Sequence, residues 1–321
     1  MIVVTGAKGF IGSAVVWEIN RTLNQPVVAV DILSADERNE YFEGKSVEKY
    51  LNKDELLKEL QSGALKPSWI IHMGACSSTT EMNREYLKEV NTDYTRKLYE
   101  WCRDHNTPFI YASSGAVYGD GDQGFDDETD SSIFKPLNPY GESKVHFDQW
   151  VSGETQGPPQ WYGLRFFNVY GPNEYHKGNM SSVVFKAFNQ ISNKGNLQLF
   201  RSHNADYKDG EQLRDFVYIK DITRWILELM NKKPESGIYN MGFGQARSWI
   251  DLASSVFKNM NKELNIDWID IPENLRDKYQ YFTKAKMDKL MAQGLSDPQW
   301  PLEKGVEDYV SNYLMSDNPR L

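Results

Sequence analysis

The chain has 321 residues, with 36 Lys plus Arg against 45 Asp plus Glu, a formal net charge of −9. An acidic chain speaks against nucleic acid or an anionic membrane surface as its main partner, and 40% apolar residues exclude disorder as its main state. The two cysteines, Cys76 and Cys102, cannot build a disulfide framework, no CxxC pair marks a metal site, and no apolar run approaches the ~18 residues of a membrane span. With no charged leader read at the N-terminus, a reducing cytosol is expected, and two domains or one large α/β unit.

The apolar run Met1–Thr5 stops at a glycine, and residues 27–31 repeat it. Between them Phe10–Leu23 has helical length and spacing. That is a β–α–β unit, which forces a parallel sheet. The alternation continues with a weak strand over Val47–Tyr50 and a helix over Asp54–Leu60. Trp69–Met73 reads as a strand, Arg84–Arg103 as a long helix and Phe109–Ser113 as a strand. Pro139–Val151 is a helix and Gln160–Phe166 a strand. Beyond residue 167 the rhythm breaks. One helix, Ser181–Ser192, stands in a polar stretch. Phe216–Tyr218, Ile219–Met230 and Ile238–Met241 then read as strand, helix and strand, and the tail alternates helix and loop. The expected fold is a Rossmann-type doubly wound parallel sheet with a smaller interleaved α/β domain. Its dinucleotide-binding part spans 1–167 plus about 213–241. Its substrate part spans about 168–212 plus 242–321.

Gly6-x-x-Gly9-x-x-Gly12 lies between the first strand and the first helix. In that context the glycines give a tight turn, a close approach to pyrophosphate and close helix–sheet packing. The helix N-terminus offers its positive dipole end to phosphate. Asp31 ends the second strand, where a carboxylate holds a ribose 2′-OH and favours NAD. Arg38 and Lys53 are cations that would flank a 2′-phosphate. Gly74-Ala75-Cys76 places small residues where a cofactor would press on the sheet edge.

Tyr140-Gly-Glu-Ser-Lys144 opens a helix after Pro139, and its i, i+4 spacing puts phenol and ammonium on one face. A phenol titrates near 10, and a neighbouring ammonium lowers that value. Ser114 leaves a strand end where its hydroxyl can hold a reacting oxygen. Glu142 reads as solvated helix surface. His72, in an apolar strand, reads as a satisfied core histidine.

This combination resembles the extended short-chain dehydrogenase/reductase superfamily in its nucleotide-sugar branch, over essentially the whole chain. More narrowly it resembles the ADP-L-glycero-D-manno-heptose 6-epimerases. The closer likeness rests on Gly74-Ala-Cys-Ser-Ser-Thr-Thr-Glu81, Phe167-Asn-Val-Tyr-Gly-Pro172, His176-Lys-Gly-x-Met180, Arg214-Asp-Phe-Val-Tyr218 and Tyr279-Gln-x-Phe-Thr283. The resemblance implies that Tyr140 is the proton acceptor, supported by Lys144 and Ser114, and that Lys177 is a second acid/base. It implies cofactor contacts at Phe10, Ile11, Asp31, Ile32, Arg38, Lys53, Cys76, Ser77, Asn91 and Val169, beside the glycines and Ala75. It implies ADP-sugar contacts at Ser114, Asn168, Asn179, Lys186, Phe200, Arg214 and Tyr279. Asn179 and Lys186 stand where the family has serine and histidine, and Asn204–Glu211 is an insertion. The likeness tips the cofactor from NAD to NADP, tightly held, one per subunit. It also implies a homo-oligomer, a pentamer, serving lipopolysaccharide inner-core synthesis.

A second base has a chemical reason. An unactivated alcohol carbon cannot be inverted by deprotonation, but oxidation makes it flat, and hydride returned to the other face inverts it. The two alcohols then lie on opposite sides of that plane. An ordinary lysine starts as the acid unless burial lowers its pKa. Two readings compete. One is another sugar-nucleotide epimerase or a dehydratase of the same superfamily; a dehydratase needs an acid and a base beside the serine to expel water, and Gly115-Ala116 follow Ser114 with no carboxylate. A non-catalytic dinucleotide-binding protein has no need of Tyr140, Lys144 and Ser114 together.

Overall fold

The computed structural model describes residues 1–276 and 279–321. Short apolar strands separated by amphipathic helices bury both best with the strands side by side and helices on each face. The first strands are β1 (Ile2–Thr5), β2 (Val27–Asp31), β3 (Val47–Asn52), β4 (Trp69–His72), β5 (Phe109–Ser114) and β6 (Trp161–Phe166). Then come β7 (Asn168–Tyr170), β8 (Leu197–Phe200), β9 (Leu213–Tyr218), β10 (Gly237–Met241), β11 (Ala246–Ser248) and β12 (Ile266–Ile269). The helices begin with α1 (Phe10–Leu23), α2 (Lys53–Ser62), α3 (Arg84–Leu87) and α4 (Tyr94–Asp104). They continue with α5 (Pro139–Gly153), α6 (Val183–Lys194), α7 (Ile219–Lys232) and α8 (Trp249–Asn259), and the tail adds α9 (Glu273–Arg276), α10 (Asp288–Ala292) and α11 (Leu302–Tyr309).

Seven strands form one parallel sheet in the order β10-β6-β5-β4-β1-β2-β3. The chain runs outward from β1 in one direction and from β4 in the other. A crevice opens beyond the carboxyl ends of strands at such a reversal. Alternate side chains serve different cores. Val3, Val28, Val30 and Ile70 pack with Leu56, Leu98 and Phe147 of α2, α4 and α5. Val4, Ala29, Ile71 and Leu164 pack with Ile19, Trp225 and Val256 of α1, α7 and α8. Both faces are covered, so the strands read as continuous apolar runs rather than alternating ones. Among the described residues no helix is long and apolar enough to cross a membrane.

The helix expected over Phe10–Leu23 is present over those residues. The long helix expected over Arg84–Arg103 is interrupted by a π-helical turn at Lys88–Asp93. In the second half, β9 pairs in parallel with β7 and antiparallel with β11, and β12 pairs with β8. Leu213–Tyr218 therefore lies in a small three-stranded sheet, and the chain returns to the large one through α7 and β10. The tail, expected as helix and loop, also contributes β12.

Candidate active site

Three features at the sheet reversal suit a dinucleotide phosphate. Gly6 has φ +64°, a conformation that favours glycine, and a Cβ there would lie 2.7 Å from the Gly74 Cα. The β1 and β4 loops therefore close on each other only with glycine at position 6. Next, α1 starts at Gly9 with no side-chain cap and no acidic residue in its first turn, which leaves its donors and dipole for an anion. Finally, Asp31 ends β2 with its carboxylate turned to the glycine loop, accepting from the Lys8 N–H at 2.9 Å and the Ile32 N–H at 2.8 Å. These residues fit a dinucleotide.

The other expected cofactor residues lie on several separate elements and loops. Arg38 has a left-handed backbone and donates to the Lys8 carbonyl at 3.4 Å. Lys53 begins α2, its ammonium 5.4 Å from the centre of the Tyr94 ring. Ala75 and Ser77 are exposed and Cys76 half-buried on the loop after β4. Asn91 is buried in the π-helical turn. Its Oδ1 accepts from the Cys76 N–H at 2.9 Å, while Nδ2 donates to the Cys76 carbonyl and the Ser143 hydroxyl, both at 3.0 Å. The π turn thus aims an amide that ties the β4 loop to the Tyr-xxx-Lys helix. Val169 lies in β7, opposite Val217.

The reaction centre depends on how α5 begins. Asn138 caps it, accepting from the Gly141 N–H at 2.9 Å, and Pro139 takes the first helical position. A Cβ on Gly141 would sit 2.8 Å from the Ala116 carbonyl, so the helix start presses on the turn after Ser114. That contact brings Tyr140 beside Ser114. The Ser114 hydroxyl accepts from the Ala116 N–H at 3.1 Å, which leaves its own proton to donate. Burial pushes the Tyr140 phenol above its usual value, and the Ser114 hydroxyl pulls the other way. The expected lowering by Lys144 is not what governs it. The Lys144 ammonium instead donates to the Ala112 carbonyl at 2.8 Å. Burial lowers the Lys144 pKa to about 8, against the charge of Asp148. Lys177 stands on the loop before α6, 5.5 Å from the centre of the Phe10 ring at the start of α1. Burial lowers its pKa and Glu174 opposes that. His176 beside it bonds the Tyr41 hydroxyl at 2.9 Å.

A cleft of about 660 Å³ reaches this centre at Ser114, while Tyr140, Lys144 and Lys177 are not among the residues that line it. Ser114, Asn168, Arg214 and Tyr279 line it, while Asn179, Lys186 and Phe200 do not. The Lys186 ammonium donates to the Asn179 carbonyl at 2.6 Å, and Phe200 meets the Tyr279 ring edge-on at 6.1 Å. Arg214 is buried between the rings of Trp249 and Tyr279, 5.6 and 5.3 Å away. Among the described residues its hydrogen-bond partners are the Leu213 and Gln280 carbonyls. A buried guanidinium held by carbonyls at a cleft wall suits an anionic ligand. Glu142, expected to be solvated surface, instead lines the cleft and pairs with Arg84 across its mouth. Sequence reading also missed Arg165 and Trp249. A charge inside the apolar strand WYGLRF was the available signal for Arg165. Trp249, whose indole donates to the Tyr279 hydroxyl at 3.1 Å, gave none. His72 is the buried core histidine expected, bonded to Thr5 at 2.6 Å and Thr95 at 3.0 Å.

A glycine loop at the sheet reversal, a Tyr-xxx-Lys helix and a cleft at Ser114 define a dinucleotide-dependent enzyme acting on an anionic substrate. The chain belongs to the NAD dependent epimerase/dehydratase family, whose model matches residues 2–242. The dinucleotide is therefore a nicotinamide one. The chain is 45% identical over 328 residues to the ADP-L-glycero-D-manno-heptose-6-epimerase of Nitratidesulfovibrio vulgaris, all of both chains being covered. It is 42% identical over 332 residues to the protein of that name from Fusobacterium nucleatum, again with full coverage of both. The crystal structure of the Helicobacter pylori ADP-L-glycero-D-manno-heptose-6-epimerase superimposes with a TM-score of 0.82 at 27% identity, covering 97% of this chain and 95% of that one. A Thermus thermophilus UDP-glucose 4-epimerase in complex with NAD shares the fold, with a TM-score of 0.76 at 24% identity and coverage of 95% and 96%.

Proposed function

We infer that this protein inverts C6″ of ADP-D-glycero-β-D-manno-heptose to the L-glycero form, a redox-neutral isomerisation with bound NADP that supplies a lipopolysaccharide inner-core heptose. The observation that carries this reading is Tyr140 held against Ser114, which lines a cleft walled by Arg214. Full-length identity to proteins of that name supports the substrate. When bound, the nicotinamide accepts and returns hydride. The chain's own residues handle the proton. Ser114 donates to the reacting oxygen. Burial favours the neutral phenol of Tyr140, suited to act as acid, and shifts Lys177 toward the free amine, suited to act as base. Two such groups serve two faces of a flat carbonyl. Arg214 binds a phosphate of the ADP, with Asn168 and Tyr279 beside it; Phe200 acts through Tyr279. Asn179 and Lys186 belong to the loop that carries Lys177.

Arg38 and Lys53 favour NADP over NAD, against the pull of Asp31. The seven-stranded sheet makes up the dinucleotide part, and β7, β9 and β11 belong with the substrate part, so residues 213–218 leave the dinucleotide span expected from the sequence. The resemblance also supports a cytoplasmic homo-oligomer, a pentamer, whose mass is read directly by sedimentation. The assay of function is incubation of purified protein with ADP-D-glycero-β-D-manno-heptose and no added nucleotide. Conversion to the L-glycero epimer supports the reading. No conversion until NADP is supplied, with its stoichiometric consumption to give a stable oxidised sugar, contradicts it.

A further inference from the structure

Lys8 stands between the first two glycines of the Gly6–Gly12 loop, and its side chain is wholly buried. Its ammonium donates to the carbonyls of Ser34 at 2.9 Å, Ala35 at 2.7 Å and Glu37 at 2.5 Å. An ammonium has three N–H donors, so all are used. The same nitrogen lies 4.5 Å from the centre of the Tyr50 ring and 5.6 Å from that of Phe42. Lys8 also acts through its backbone. Its N–H donates to Asp31, and its carbonyl accepts from Arg38 at 3.4 Å. One residue therefore joins the phosphate loop, the end of β2 and the segment that leads to Arg38.

That segment needs holding. Arg38 has φ +50°, a left-handed conformation that persists in a non-glycine residue only when its surroundings impose it. Three of the four carbonyls preceding it point at one buried cation. Two lesser ties add to this. Glu37 accepts from the Ser34 N–H at 2.8 Å, and the Tyr50 hydroxyl donates to the Leu33 carbonyl at 2.7 Å. The Lys8 charge also stands next to Asp31, where it offsets the repulsion that a carboxylate exerts on a 2′-phosphate. With every donor spent on carbonyls, Lys8 has none left for a phosphate. Its part is to place Arg38.

We propose that Lys8 is a positioning residue for dinucleotide selectivity: it clamps residues 34–37 so that Arg38 is presented to the 2′-phosphate of the adenosine ribose. This deepens the NADP reading above and rests on it. The test uses the purified holoenzyme, compared with Lys8→Met and Arg38→Ala, and has two readouts independent of turnover. One is the ratio of NADP to NAD released on denaturation. The other is amide hydrogen exchange over residues 34–38.

Lys8→Met is expected to lower the ratio about tenfold, the worth of one charge-assisted hydrogen bond, and to speed exchange at Ala35–Arg38. Arg38→Ala lowers the ratio while exchange at 34–37 stays near wild type. A lowered ratio with unchanged exchange would make Lys8 itself the phosphate ligand and overturn the clamp. An unchanged ratio would overturn the selectivity role. If the wild type releases only NAD, the NADP reading fails, and the selectivity role fails with it. Should Lys8→Met not accumulate as folded protein, Lys8→Gln is read the same way, since its amide has two donors for three carbonyls and no charge.

Discussion

Arg165→Met removes the charged hydrogen-bond partner of a carboxylate sealed beneath the reaction centre. Asp148 lies on α5, one turn beyond Lys144, and both it and Arg165 have side chains with 0% exposure. The carboxylate accepts from the Arg165 Nε, the Tyr111 hydroxyl and the Ser113 hydroxyl, each at 2.9 Å. The guanidinium also donates to the hydroxyls of Tyr118 at 3.0 Å and Ser131 at 2.7 Å. It lies about as far from the ring centres of Tyr118 and Phe134, at 5.0 and 5.1 Å. Methionine keeps the apolar contact but not the charge. The two hydroxyl bonds to Asp148 survive, and its charge loses its hydrogen-bonded counter-ion in a dry interior, with Lys144 the remaining buried cation that feels it. Breaking a buried pair from one side costs about 3–5 kcal/mol, a large share of a typical 5–15 kcal/mol of stability.

The assay is urea unfolding, with saturating cofactor so that ligand linkage stays constant. One control sharpens it. Asp148→Asn combined with Arg165→Met removes the stranded charge and is expected to be more stable than Arg165→Met alone. A loss under about 1 kcal/mol, as for an exposed pair, or a double variant no better than Arg165→Met, would refute the reasoning.

Tyr140→Phe and Lys177→Met should each lower kcat by about 10²–10⁴-fold while ADP affinity, read by calorimetry, stays within a few-fold of wild type. An aldehyde analogue of the intermediate separates lost proton transfer from lost binding. Arg38→Ala should weaken NADP binding more than NAD binding, and equal losses in titration would remove Arg38 from phosphate recognition. His72 has a folded pKa near 3 because burial disfavours its charge, against 6.5 when exposed. Its contribution to stability is therefore full above pH 6.5 and is lost as pH falls toward 3, by about 1.4 kcal/mol per unit. His72→Gln should flatten the wild-type decline in urea midpoint between pH 6.5 and 5, and an unchanged slope would contradict the assignment.

The legible parts of this fold are those where one local signal carries the structure. The β1–α1–β2 unit follows from two apolar runs, a helix of the right length and three glycines. Tyr140, Lys144 and Ser114 announce themselves by spacing and by position at element ends. What escaped reading depends on partners distant in sequence. The edge strands β8 and β12 have four residues each, and only their mutual pairing distinguishes them from loop. The π turn at Lys88–Asp93 is set by what Asn91 must reach, not by residue propensity. Lys8 looks like any solvated loop lysine until the backbone carbonyls 26 to 29 residues away close on it. Glu142 looked exposed because its partner, Arg84, comes from a different element.

The central claim is inversion by oxidation and return of the same hydride. It is tested most directly with ADP-D-glycero-β-D-manno-heptose carrying deuterium at C6″, converted in ordinary water and read by NMR and mass spectrometry. The account predicts an L-glycero product that keeps its deuterium at C6″ and takes up no solvent hydrogen there. Exchange of that deuterium for solvent hydrogen during inversion would contradict it.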